Sequence, residues 1–241
     1  MKKNKWIILF GTLFIISWFY QQTTTKTQTS KKYVRTEHHT PENTIIAFDI
    51  HGVITRKYVW PMLKTAYRYP NKWNILKSCS WSMLRKTFRC LWNKEWNRMR
   101  KLFEDENSYL FEFMHDIANT QTPIKVTGTI IKQLKELGYE LHILSNISKL
   151  AYTSFKEKFP EIFNLFDIEQ ISFWDGDQII EKPQLEYFKR YIEKYNPKNK
   201  KIIFIDDQKI NINAAEKVGI IGIRFKNAGQ LKKALHKLKV I

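Results

Sequence analysis

The run Ile45-Ile46-Ala47-Phe48-Asp49-Ile50-His51-Gly52-Val53 ends an apolar stretch in a carboxylate and follows it with a glycine turn. Residues 44–50 are short, continuous and β-branched, the pattern of a fully buried strand. Ligands in open parallel sheets bind beyond the C-terminal ends of the strands, so Asp49 is placed for chemistry. Two further strand-like runs end in polar residues, one in Ser145-Asn146 and one in Asp206-Asp207. Between them Lys182 precedes Pro183 at the start of a helical pattern. Singly, an Asp at a strand end more often caps a helix or shapes a turn. Together these residues supply a coherent chemistry. A carboxylate can attack phosphorus when a neighbouring cation neutralises the charge of nucleophile and phosphate. Mg²⁺ prefers hard oxygen ligands, and Asp49 with Asp206-Asp207 offers them. A serine hydroxyl and backbone amides can hold phosphoryl oxygens. A lysine can stabilise transition-state charge and screen the carboxylates from one another.

The elements that must position these side chains alternate. Helical spacing covers 124–137, with Gly138 as its C-cap, and 149–159, stopped by Pro160. It returns over 183–195, with Pro near its first turn, over 210–218 before Gly219, and over 228–238. Strand patterns cover 139–144, 168–173, 201–205 and 220–225, with a turn at Asp175-Gly176-Asp177. Strands alternating with helices predict an α/β fold with a doubly wound parallel sheet. Right-handed crossovers then bring every strand tip to one edge. Residues 57–122 differ: they hold no glycine and are rich in Trp, Tyr, Lys and Arg. Their spacing predicts an inserted group of helices.

On four motifs in order, the chain resembles the haloacid dehalogenase (HAD) superfamily of aspartate-nucleophile hydrolases. The first is Asp49-Ile50-His51-Gly52-Val53, against a pattern Asp-x-Asp-Gly-(Val/Thr). The second is the strand ending in Ser145-Asn146, and the third is Lys182-Pro183. The fourth is Asp206-Asp207 with Asn211, Ala214-Ala215 and Gly219. The resemblance covers about 44–56 and 123–226. It implies a HAD-like Rossmannoid core over 44–56 and 123–241, with a C1-type helical cap inserted at 57–122. It further implies that Asp49 is the nucleophile and a Mg²⁺ ligand, joined by the backbone carbonyl of His51 and by Asp207, with Asp206 in support. Ser145, Asn146 and backbone amides such as that of Gly52 would bind the phosphoryl group, and Lys182 would brace it. The expected function is a Mg²⁺-dependent phosphatase acting on a small phosphorylated substrate through an aspartyl-phosphate.

Position 51 departs from the pattern. Phosphatases of the family carry there an Asp that protonates the leaving group and then activates water. A histidine can do both near neutral pH, its reference pKa being about 6.5. Two other readings stay open: a catalytically impaired HAD-fold protein that binds anionic lipid or a partner through its basic cap, and dehalogenase-like attack on carbon. The latter would leave the acidic pair at 206–207 surplus.

The 241 residues fit one main domain with an insert. The net charge of +18 favours phosphate-bearing ligands or anionic surfaces. Between Arg56 and Lys101 stand thirteen Lys/Arg against one acid, Glu95, interleaved with Trp60, Tyr67, Trp73, Trp81, Trp92 and Trp96. That pattern suits phosphate capture or anionic lipid contact; no nucleic-acid motif accompanies it. Two cysteines, Cys79 and Cys90, lack metal-ligand spacing and read as free thiols. At the N-terminus three lysines precede an apolar run over 6–20. As a helix the run spans about 22 Å against a hydrocarbon core of about 30 Å. It reads as an uncleaved signal anchor over 1–22, joined by a polar linker over 23–43. The expected location is therefore the membrane, through a single N-terminal anchor. Lys26, Lys31, Lys32 and Arg35 follow the run as lysines precede it, so charge leaves both orientations open, the extracytoplasmic side being favoured for the core.

Overall fold

Three short apolar runs buried on both faces pair side by side, flanked by two half-buried edge strands, because a buried backbone group needs a partner. In the computed structural model, which describes residues 38–56, 64, 116, 120–147, 149–175, 178–196 and 198–241, these are β1 (Thr44–Phe48), β4 (Glu140–Leu144), β5 (Ile168–Gln170), β8 (Lys201–Asp206) and β9 (Ile221–Arg224). They form one parallel sheet in the order β5-β4-β1-β8-β9. The chain builds outward from β1 on one side, then crosses to β8 on the other. The order therefore reverses at β1, which opens a crevice beyond the tips of β1 and β8.

Alternate residues of β1 point to opposite faces, as the period of two requires. Ile46 and Phe48 pack with α1 (Lys125–Glu136), α2 (Lys149–Lys158) and α6 (Ala228–Lys237) through Ile130, Phe155 and Leu231. Ile45 and Ala47 face α4 (Leu185–Tyr195) and α5 (Lys209–Glu216) through Tyr187, Phe188 and Ala215. Each Ile, Leu or Phe among these, fully buried, contributes about 1.5–3 kcal/mol. The expected doubly wound α/β architecture is thus present, with helix bounds within two residues of the sequence pattern.

Three regions were not legible. Residues 168–173 were expected as one strand, but β5 stops at Gln170. Its carbonyl there accepts from Ser145 N at 3.2 Å and from Tyr187 Oη at 2.9 Å. The chain then leaves the sheet as a hairpin of β6 (Phe173–Asp175) and β7 (Gln178–Ile180). Pro160, expected as a stop, also opens the one-turn helix α3 (Pro160–Phe163), where its missing N–H costs nothing. Finally, β2 (Thr55–Arg56) and β3 (Thr122–Pro123) pair antiparallel, Thr55 with Pro123 and Arg56 with Thr122. They are the two chain segments that flank the expected helical insert. Apart from residues 64, 116, 120 and 121, the remainder of that insert, like both cysteines and the linker up to residue 37, lies outside the described residues.

The expected membrane location is corrected. Among the described residues no helix is long and apolar enough to cross a membrane. The longest, α1, has 12 residues and so spans about 18 Å, and only one of its faces is buried. The run over 1–22 on which that expectation rested lies outside the described residues.

His142 on β4 is fully buried, with Nδ1 2.6 Å from Tyr191 Oη and Nε2 2.9 Å from Glu140 Oε1. Burial pushes its pKa below 6.5, outweighing the pull of Glu140 and Asp167, while Lys200 adds to the depression. The unfolded chain then takes up a proton near pH 6.5 that the folded chain refuses, so stability is lost as pH falls through that value. Urea midpoints of wild type and His142→Gln should separate on this point. The stability lost between pH 7.5 and 5.5 should be smaller in the variant. Equal losses would show that His142 does not titrate this way.

Candidate active site

Among the described residues, those singled out for the chemistry sit at or beside the C-terminal edge of the sheet. Asp49 follows β1 directly, and its N–H donates to Ile205 O at 2.9 Å, which continues the ladder. Asp206 is the last residue of β8, Ser145 follows β4, and Lys182 lies in the loop between β7 and α4. Lys182 is the hub. Its Nζ donates to Asp49 Oδ1 at 3.0 Å, Asp206 Oδ2 at 2.8 Å and Leu144 O at 2.7 Å. An ammonium has three protons, so all are committed. Its charge also lies 5.0 Å above the Phe204 ring. Lys182 and Asp49 are each 4% exposed and Asp206 is fully buried, so these are ion pairs without bulk water.

The electrostatics follow from that burial. For Asp49, burial favours the neutral acid, but the Lys182 and His51 charges, the bond from Lys182 and the nearby Ser145 hydroxyl outweigh it and hold its pKa below the usual value. For Asp206, burial and the nearby Asp49 charge win over Lys182 and the Gln208 N–H, and its pKa rises. Lys182 is held protonated: burial opposes its charge, but Asp206 and Asp49 together prevail. Asp206 is further bound by Gln208 N at 2.7 Å and Asn211 Nδ2 at 2.9 Å. It therefore braces the lysine from below.

Asp207 completes the acidic set. One oxygen of each of Asp49, Asp206 and Asp207 lies within 4.8 Å of the others. Gly52 makes room for this approach. It takes φ +89°, and a Cβ there would stand 2.5 Å from Asp207 Oδ2. Only glycine meets both demands. Arg224, at the end of β9, donates Nε to Asp207 O at 3.4 Å and steadies that backbone. Three carboxylates and one ammonium leave a formal charge of −2. A hard divalent cation fits both that charge and the all-oxygen donor set.

Two expected roles look different in three dimensions. Asn146 Nδ2 donates to Lys182 O at 2.7 Å, and its Oδ1 accepts from Lys182 N at 3.0 Å. Its carboxamide therefore clamps the lysine loop to the end of β4. The Gly52 N–H donates to Thr55 O at 2.8 Å, so the contribution of Gly52 is space rather than an amide. Ser145 keeps the expected place. Its buried hydroxyl makes no well-aligned hydrogen bond among the described groups, yet lies near enough to favour ionised Asp49.

His51 Nδ1 lies 2.9 Å from Gln121 Oε1, and its ring packs edge-on against Phe155 at 5.9 Å. Thr55 Oγ1 donates to the same Gln121 oxygen at 2.8 Å. Gln121 was missed from sequence. A glutamine in the polar run Thr120-Gln121-Thr122 carries no signal that it will meet a histidine 70 positions away.

A family model described as haloacid dehalogenase-like hydrolase matches residues 44–219. A sesquiterpene phosphatase, astK, of Aspergillus oryzae is 27% identical over 97 residues, 40% of this chain and 47% of that protein. The matched part is thus about half the length of that relative. Among solved structures, the putative HAD-hydrolase YfnB of Bacillus subtilis, bound to magnesium, is similar with a TM-score of 0.55 at 16% identity, over 81% of this chain and 98% of that one. The L-2-haloacid dehalogenase of Xanthobacter autotrophicus gives a TM-score of 0.51 at 15% identity, over 83% and 84%. At such identities these likenesses concern the fold alone.

Proposed function

The chain belongs to the haloacid dehalogenase-like hydrolases, and from that premise we propose that it is a phosphatase of small phosphorylated metabolites. The observation that carries this reading is Asp49, held ionised beside Lys182 within a cluster of three carboxylates. Attack on carbon would need the aspartate but not the two further acids. A cationic metal beside a phosphoryl group would use all three. The similarity to a phosphatase points the same way.

In the proposed reaction an Asp49 carboxylate oxygen attacks phosphorus and the bond to the leaving oxygen breaks. That oxygen takes a proton from His51. An aspartyl-phosphate remains on Asp49. Water then attacks its phosphorus while His51 takes the water proton, the bond to Asp49 breaks, and inorganic phosphate leaves. Ser145 holds a phosphoryl oxygen. Lys182 keeps Asp49 ionised and in place, and Asn146 keeps Lys182 in place. Mg²⁺ is the fitting cofactor. Asp49, Asp207 and the His51 carbonyl would hold it, and it would neutralise phosphoryl charge.

The test is a panel of phosphate esters with the full chain, wild type beside His51→Asp and His51→Ala. Phosphate release should need Mg²⁺, persist in His51→Asp and fall about 10²–10⁴-fold in His51→Ala, the usual worth of a general acid-base. No release from any ester would overturn the reading, and release of halide from haloacids instead would redirect it to carbon.

A further inference from the structure

Resting on that reading of His51, we infer that Gln121 is the positioning residue that sets the tautomer and direction of the His51 ring. Gln121 is 2% exposed and Thr55 is fully buried, so neither can trade this bond for water. The carboxamide oxygen has only lone pairs to offer, and it faces two groups at once: the Thr55 hydroxyl at 2.8 Å and His51 Nδ1 at 2.9 Å. A single threonine proton serves either Gln121 Oε1 or Ile50 O, which lies farther off at 3.2 Å. The shorter bond orients the carboxamide with its oxygen toward the ring. His51 must then carry its proton on Nδ1. The lone pair, and the proton in transit, belong to Nε2 on the other edge of the imidazole. In the phosphatase reading that nitrogen gives and takes the proton.

The tether joins two distant parts of the chain. Thr55 opens β2 and Gln121 immediately precedes β3, so their bond clamps together the two segments that flank residues 57–120. His51 pairs with Thr55 by a backbone bridge, and Gly52 N bonds Thr55 O. The ring is thereby fixed from its own backbone and from the returning segment. Phe155 stacks edge-on against it and limits its tilt. An imidazole whose partner is lost can rotate or exchange tautomers, which places the wrong nitrogen toward the leaving oxygen.

The experiment compares wild type, Gln121→Leu, Gln121→Glu and Thr55→Val as full chains. Long-range ¹H–¹⁵N spectra of the neutral His51 ring report the tautomer, and steady-state kinetics on an aryl phosphate report turnover. Wild type should show protonated Nδ1. Gln121→Leu should move the ring toward protonated Nε2 and lower kcat about 10- to 100-fold, as loss of an orienting partner commonly does, with KM changing less than about threefold. Gln121→Glu keeps an acceptor and should hold both the tautomer and most of kcat. Thr55→Val should keep the tautomer with a smaller loss. Protonated Nε2 in wild type would overturn the inference, as would a kcat in Gln121→Glu as low as in Gln121→Leu. If wild type releases no phosphate, the phosphatase reading fails on its own. The spectra of wild type and Gln121→Glu then decide the role of Gln121 independently.

Discussion

Asp49→Asn should abolish phosphate release, by at least about 10⁴-fold in kcat, while the protein stays folded. An amide cannot form the acyl phosphate, and removing a nucleophile outright costs on this scale or more. The fold should survive because Lys182 keeps its bonds to Asp206 and Leu144 O. The lost ion pair is partly offset by relief of repulsion, since the Asp49 charge helps raise the pKa of Asp206. The unfolding free energy should move by less than about 2 kcal/mol, the range of most single substitutions. Phosphate release assayed beside a thermal melt checks both halves. Activity within tenfold of wild type in a well-folded Asp49→Asn protein would remove Asp49 as the nucleophile.

Lys182→Met should cost both activity and stability. The substitution conserves bulk but leaves Asp49 and Asp206 facing each other, buried, without their shared cation. Removing one partner of a buried ion pair costs about 3–5 kcal/mol, because the remaining charge is uncompensated. Leu144 O also loses a donor at 2.7 Å. A double substitution, Lys182→Met with Asp206→Asn, should recover part of the stability and none of the activity. Chemical denaturation of the four proteins of that cycle gives the coupling directly. An additive cycle, with Lys182→Met near wild-type stability, would mean that the triad of Asp49, Lys182 and Asp206 does not hold this edge of the sheet together.

Much of the core was legible because its signals are local. A period of two or continuous apolarity marked β1, β4 and β8, and a period of 3.6 marked α1 and α4. Gly138 and Gly219 take φ +87° and +88° at helix ends, as a C-cap requires. The end of β5, the hairpin of β6 and β7, and the antiparallel pair of β2 and β3 were not legible. Their residues take structure from partners elsewhere in the fold, and segments of two or three residues carry no measurable period.

Which residues of the site reach the sheet edge was legible along the chain. Asp49, Ser145 and Asp206-Asp207 each end or follow a locally encoded strand, and a parallel sheet sends all such ends one way, while Lys182 precedes the locally encoded helix α4. What each side chain does there depends on contacts between distant parts of the chain. Lys182 reaches Asp49 across 133 positions and Asp206 across 24, and spends its third proton on a carbonyl. Asn146 spends its amide on the lysine loop. Gly52 yields space to Asp207, and Gln121 takes hold of His51 across 70 positions. The reason is physical. A strand or helix is specified by neighbours in sequence, whereas a buried donor or acceptor must pair with whatever packing brings within about 3 Å.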